Sequence, residues 1–214
     1  MNRWAIFSCP FPGQKTPRMV VRTPPISYPL PVPIEIEKKY RLTKKQREEL
    51  LRRLPKIGAT SHGEEFEENT LFGGEALEIG RCVLRLRRVG KKAILTYKER
   101  FPSADSIKRQ REDETNVGDA DAMETILDAL GFAPALVYEK RRATWRLGDA
   151  EIVIDELPFG LFMEIEASEP EIKKIELKLA IKGLRAEHAT YPQLTRRHGK
   201  PYGSVIESRF AEKP

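Results

Sequence analysis

"PIEIEKKY", residues 33–40, sets Glu35, Glu37 and Lys39 at every second position, with Ile34 and Ile36 between them. On a strand, successive side chains point to opposite faces, so this segment has one oily face and one face with two carboxylates and an ammonium. Whether the charged face meets water or an enclosed space decides between an open sheet and a closed barrel. The pattern recurs downstream. Arg85 and Arg87 alternate with Leu84 and Leu86, and Thr96 and Lys98 with Leu95 and Tyr97. Glu112 and Glu114 share a face, as do Lys140 and Arg142; Asp155 lies opposite Ile154, and Glu164 and Glu166 flank Ile165.

An open antiparallel sheet, wet on its charged face, would account for any one of these strands. Two features tell against it for the set. Solvated faces mix Thr, Ser, Gln and both signs of charge, whereas these doublets are sorted by sign. A closed barrel also alternates inward and outward residues along each strand, which turns the doublets into rings lining a lumen. The charged face is therefore expected to look inward. Such a lumen cannot stay empty and dry, because buried charges must be paired or bind something charged. Clustered carboxylates suit a hard divalent cation, which Mg²⁺ sites share with substrate phosphates, while Arg and Lys clamp phosphate oxygens. The implied guest is a metal-bound polyphosphate.

Around the doublets, "LTKKQREELLRRLPKIG" reads as a helix capped by Thr43, with Leu50, Leu51 and Leu54 inward and Pro55 as its stop. "EFEENTLFGG", "CVLRLRRVG", "KAILTYKER" and "KRQREDETNV" read as an antiparallel meander. If Glu112 and Glu114 face inward, Lys108 and Gln110 join them and Arg109 and Arg111 face out. "DADAMETILDALGF" is a helix whose apolar stripe is Met123, Ile126, Leu127 and Leu130, ended by Gly131. Three more strands follow, broken at Gly148 and at the Pro158–Gly160 turn, and a helix in "EPEIKKIELKLAIKGL" closes the core. The tail after "TYPQL" shows no clear element and reads as disordered, so Lys200 and Tyr202 are not placed in the site. The first 33 residues hold eight of the 16 prolines and no period. Residues 1–32 read as a flexible leader, with Met19 a candidate start, and the folded domain as 33–214.

The 214 residues suit one domain. A net charge of +6 set against 38 basic and 32 acidic residues is a weak argument for a nucleic-acid partner. Cys9 and Cys82 form neither a disulfide framework nor a zinc-like pair, and no run approaches a membrane span of roughly 18 apolar residues. The expectation is a cytoplasmic protein without a membrane partner. His62, His188 and His198 lie outside the doublets and read as surface residues.

"EIEKK", "LRLRR", "LTYKER", "REDET", "EKRR" and "IDELPFGLFMEIE", in this order, strongly resemble the CYTH superfamily, the triphosphate tunnel metalloenzymes, from about Pro33 to about Leu194. The resemblance implies an α+β fold: a closed antiparallel eight-stranded β-barrel, the triphosphate tunnel, with helices packed outside. It implies Mg²⁺ or Mn²⁺ as cofactor, with Glu35, Glu37, Glu164 and Glu166 as principal metal ligands and Asp155 and Glu114 for a second ion. Lys39, Arg85, Arg87, Lys98, Lys140 and Arg142 would bind phosphates, with Lys39, Arg85 and Arg87 closest to the chemistry. Where many members carry an Asp-x-Tyr-Phe-Asp-like strand, this chain has "NTLFGG", so Gly73 supplies no carboxylate. Three readings stay open: a hydrolase of inorganic triphosphate, thiamine triphosphate or ATP, which leads; a class IV adenylate cyclase making cyclic AMP and pyrophosphate; and a non-enzymatic binder of polyphosphate or triphosphorylated RNA. A homodimer is compatible with all three.

Overall fold

The computed structural model describes residues 34–102, 106–181 and 183–211, and the proline-rich leader lies outside them. The charged opening stretch is β1 (Ile34–Leu42), which runs straight into α1 (Lys44–Arg53). The boundary is sharp because Thr43 and Gln46 form a reciprocal capping box: each side chain accepts the other's backbone N–H, at 3.3 and 2.8 Å. A meander follows: β2 (Thr60–Gly73), β3 (Cys82–Val89), β4 (Lys92–Arg100) and β5 (Ile107–Val117). Then come α2 (Ala120–Ala129), β6 (Ala133–Leu147), β7 (Ala150–Leu157), β8 (Gly160–Glu166) and α3 (Glu169–Lys178). Gly131 takes φ 85°, the left-handed conformation that ends α2 without the Cβ penalty other residues would meet.

Strand order is β2-β3-β4-β5-β1-β8-β7-β6, and β6 pairs back onto β2 from Thr60↔Arg146 to Gly73↔Ala133, closing an antiparallel barrel of eight strands. Closure removes the sheet edges and gives every strand an inside and an outside. Outside, Leu50 and Leu54 of α1 and Ile172 and Ile175 of α3 pack on Tyr40, Ile152, Ile154, Met163 and Ile165. On the other flank Leu127 of α2 covers Phe72, Leu84, Leu86 and Ala93. The four-residue stripe expected on α2 is narrower than its spacing suggested, since Ile126 and Leu130 are exposed. The helix meets a convex wall along one line, Ala120–Met123–Leu127, and the flanking positions turn to solvent.

The tail is ordered, contrary to expectation. It forms α4 (Tyr191–His198), β9 (Lys200–Tyr202) and β10 (Val205–Ser208). β10 lies parallel to β6 along Leu136–Tyr138, the stretch of β6 that β7 does not reach. The signal was weak because α4 has only eight residues, and β9 has three, all exposed.

Candidate active site in the barrel lumen

The alternation first seen in "PIEIEKKY" is what fills the barrel. A cavity of about 490 Å³ runs inside it, lined by Glu35, Glu37 and Lys39 of β1 and by Arg85 and Arg87 of β3. Lys98 and Arg100 of β4, Gln110, Glu112 and Glu114 of β5, Lys140 and Arg142 of β6, and Glu164 and Glu166 of β8 complete the charged wall. Register sets the neighbours across strands: Glu35 faces Gln110, Glu37 faces Lys108 and Glu166, and Lys39 faces Glu164.

At the deep end Lys39, Glu67, Lys140 and Asp155 are almost fully buried. Lys39 pairs with Glu164 at 3.0 Å and Lys140 with Glu67 at 3.1 Å. Arg142 grips Asp155 through two bonds of 2.8 and 2.7 Å and reaches Glu164 at 2.9 Å. Burial pushes the Lys39 ammonium below its ordinary range, although Glu164 opposes this. Lys140 is lowered by burial and by the nearby Arg142. Burial also works against the charge on Arg142, but Asp155 and Glu67 overcome it and keep the guanidinium charged. The end is closed by α4: Tyr191 packs with Leu71, Leu136, Tyr138, Leu157 and Phe162, and its hydroxyl donates to Asp155 at 2.8 Å.

On one wall Arg85 and Arg87 converge on Glu114, at 3.4 and 3.2 Å, which also accepts from the Thr96 hydroxyl at 2.7 Å. These arginines are incompletely used. The Nε groups of Arg85, Arg87 and Arg100 are buried and have no partner among the described residues. A buried donor without an acceptor is costly, and the three guanidinium groups that carry these donors stand on the cavity wall.

At the other end the lumen is acidic. Lys98 pairs with Glu35 at 2.9 Å and Glu112 at 2.6 Å, and Lys108 with Glu37 at 3.0 Å. That leaves more carboxylates than cations. Burial and the shared proton with Glu35 push Glu112 up to about 8. Burial together with Glu35 and Glu151 raises Glu166 to about 7. Burial pushes Glu35 up too, yet the bonds to Glu112 and Lys98 outweigh it and hold it at about 2. Carboxyls that must share protons for want of positive charge are the donor set a hard divalent cation relieves. Among the described residues no three acidic, histidine or cysteine groups converge into a ready-made cage.

Of the metal- and phosphate-binding residues that the resemblance implied, all but Asp155 line this cavity. Asp155 is fully buried behind it and occupied by Arg142 and Tyr191. The register question on β5 resolves as Gln110, Glu112 and Glu114 inward, with Arg109 bonded to Glu169 and Arg111 to Asp113 outside. None of the histidines lines the cavity, and His198 stacks on Phe159 at 5.6 Å. Sequence reasoning missed Glu67, which lies 3.1 Å from Lys140, 3.8 Å from Arg142 and 3.9 Å from Arg87. The signal was present: Glu65, Glu67 and Asn69 alternate on β2, but attention went to Gly73 at the strand's end. Arg100 and Tyr191 were also missed, one at the edge of its doublet and the other beyond the strands.

A closed barrel with cations and carboxylates ringed around an internal cavity defines a tunnel protein built to hold a charged guest. The chain belongs to the CYTH family, whose model, the CYTH domain, matches residues 33–190. A Methanocaldococcus jannaschii protein named as a candidate adenylate cyclase is 30% identical over 145 residues, covering 66% of this chain and 81% of that protein. A Pyrococcus horikoshii structure superposes with a TM-score of 0.63 at 28% identity, over 73% of this chain and 96% of that one. A candidate adenylyl cyclase from Hippeastrum, with a dominant triphosphatase activity of its own, shares the fold at TM-score 0.61 and 22% identity, over 76% and 95% of the two chains.

Proposed function

We propose that this chain is a divalent-metal-dependent hydrolase of linear triphosphates, inorganic or organic. The observation that carries the reading is one cavity lined by Lys39, Arg85, Arg87, Lys98, Lys140 and Arg142 together with an acidic mouth short of positive charge. Enzymes with this tunnel generally depend on a divalent metal, and Mg²⁺ or Mn²⁺ suits this donor set. Glu35, Glu37 and Glu166 at the mouth, and Glu164 further in, would hold the ion, with Glu114 placed for a second. Asp155 serves instead as the counter-ion of Arg142. When bound, the ion neutralises phosphate oxygens and lowers the pKa of an attacking water.

The chain's own residues do the rest. Lys39, Lys140 and Arg142 take the phosphate that enters deepest, and the low dielectric there strengthens each contact. Arg85 and Arg87 turn their guanidinium charge to phosphate oxygens and stabilise the charge that grows on the leaving phosphate. Lys98 and Arg100 hold the chain nearer the mouth. Cyclisation of ATP would also need a seat for the nucleoside, and the aromatic rings in the described lining, Tyr138 and Tyr191, belong to the closed end. The presence of two cysteines and of no described helix able to cross a membrane fits a cytoplasmic enzyme.

Product analysis tests this directly. With Mg²⁺ or Mn²⁺, inorganic triphosphate, thiamine triphosphate and ATP are each offered and the products resolved. Orthophosphate release, lost in Arg85→Gln with Arg87→Gln, is expected. Cyclic AMP and pyrophosphate from ATP would make the chain a cyclase, and ligand-induced thermal stabilisation without any product would make it a binding module.

A further inference from the structure

Tyr191 is the first residue of α4 and the one side chain of that helix that reaches into the charged end of the lumen while remaining buried. Its backbone is tightly held. Thr190 and Gln193 form a second capping box, at 3.3 and 2.9 Å, Pro192 stiffens the first turn, and the Thr195 hydroxyl donates to the Tyr191 carbonyl at 2.8 Å. The ring is wedged edge-on against Phe162, centroids 5.4 Å apart, and tilted against Tyr138 at 6.2 Å. Over the ring lies the Lys39 ammonium, 3.6 Å from the centroid, with that of Lys140 5.6 Å away. The phenol, pushed well above its ordinary range by burial and by Asp155, keeps its proton and donates it to the Asp155 oxygen that also accepts from Arg142.

One side chain therefore touches, directly or through Asp155, all three cations of the deep phosphate seat. Two of them, Lys39 and Lys140, are only 2% and 1% exposed, so water cannot solvate whatever the ring leaves unsatisfied. Lys39 lies between Glu164 and the ring, and Lys140 lies among Glu67, Asp155 and the ring, which orients both ammonium groups.

We propose that Tyr191 is a positioning residue for triphosphate binding: its ring seats the ammonium groups of Lys39 and Lys140. The assignment rests on the triphosphate reading of the cavity. It also makes α4, which lies beyond the family match ending at residue 190, part of the binding apparatus.

Binding of inorganic triphosphate is measured by calorimetry in EDTA, so that no metal contributes, for the wild type, Tyr191→Phe and Tyr191→Leu, with Tm recorded for each. The ring seat predicts that Tyr191→Leu weakens binding by at least about tenfold, as the loss of a desolvated cation–π contact implies. Tyr191→Phe should restore affinity to within about threefold of wild type, because the ring stays and Asp155 keeps its two bonds from Arg142. Where turnover is followed with metal, KM should rise in Tyr191→Leu more than kcat falls. Should that variant fail to fold, Tyr191→Met fills similar space without a π face and carries the same expectation. Wild-type affinity in Tyr191→Leu or Tyr191→Met, whatever the change in Tm, overturns the assignment. So does an equal loss in Tyr191→Phe, which would place the effect in the hydroxyl alone. A wild-type protein that neither binds nor cleaves triphosphate overturns the reading of the cavity itself, a result separable from either.

Discussion

Single carboxylates in this barrel have opposite tasks. Glu67 is a structural counter-ion, 2% exposed among Lys140, Arg142 and Arg87. Burial pushes its carboxyl up, but Lys140 and Arg142 outweigh this and hold it well below the usual range. A folded pKa below the unfolded one means that its stabilisation is complete above the unfolded value of about 4.3 and fades as pH falls below it. Glu67→Gln should cost about 3 kcal/mol at neutral pH, because the buried Lys140 ammonium loses its nearest carboxylate. Urea melts should also show a shallower loss of stability between about pH 5 and pH 3 than in wild type. Glu35 and Glu37 are the contrasting case, set where carboxylates already exceed cations. Glu35→Gln with Glu37→Gln should lower Mn²⁺ affinity by calorimetry and turnover by about 10²-fold or more, with little change in the stability of the free protein. Equal metal affinity and turnover in that double variant would remove both residues from the metal site. The doublet was legible in sequence and the role of Glu67 was not, because Glu64, Glu65, Glu67 and Glu68 crowd one stretch of β2 and only its pairing with β6 sets Glu67 opposite Lys140.

At the scale of elements, the strands and long helices were readable because each carries its own local signal, a period of two or a cap with an apolar face. The C-terminal strap was not, since α4, β9 and β10 are short and stabilise one another only after docking on β6. Gly199 shows how close that docking is. A Cβ built there would lie 2.7 Å from the carbonyl oxygens of both Glu207 and Thr195, so nothing larger than hydrogen fits between α4 and β10. Gly199→Ala should destabilise the protein by about 1–3 kcal/mol, as overpacking against backbone does, seen as a lower urea midpoint. An unchanged midpoint would mean that the strap does not hold this register. Further along, Phe210 rests 4.1 Å from the Arg141 guanidinium and its N–H donates to Glu139 at 2.7 Å, anchoring the strap to the outside of β6.

The described residues from 34 onward form a barrel whose interior is held together largely by charge, with its apolar packing displaced to the outer faces and to the α4 end. Such a lumen is incompletely satisfied alone, and a polyanion with its metal completes it. Inorganic triphosphate with Mg²⁺ should therefore raise Tm progressively, approaching about 2.7 kcal/mol of added stability at a hundred times Kd. Arg85→Gln with Arg87→Gln should lose most of that increment while remaining folded. An increment equal to wild type would mean that β3 does not bind the ligand. The sequence by itself determined the alternation of faces, the identities of the lining doublets and the family they resemble, because side-chain direction along a strand follows from backbone geometry within a few residues. Only the tertiary structure decided which groups meet across the lumen. Closure of β2 on β6 brings Glu67 to Lys140, and the docking of α4 brings Tyr191 to Lys39 and Asp155. Those meetings depend on register and on the ordering of a short tail, which arise from packing between segments far apart in the chain and leave no local pattern to read.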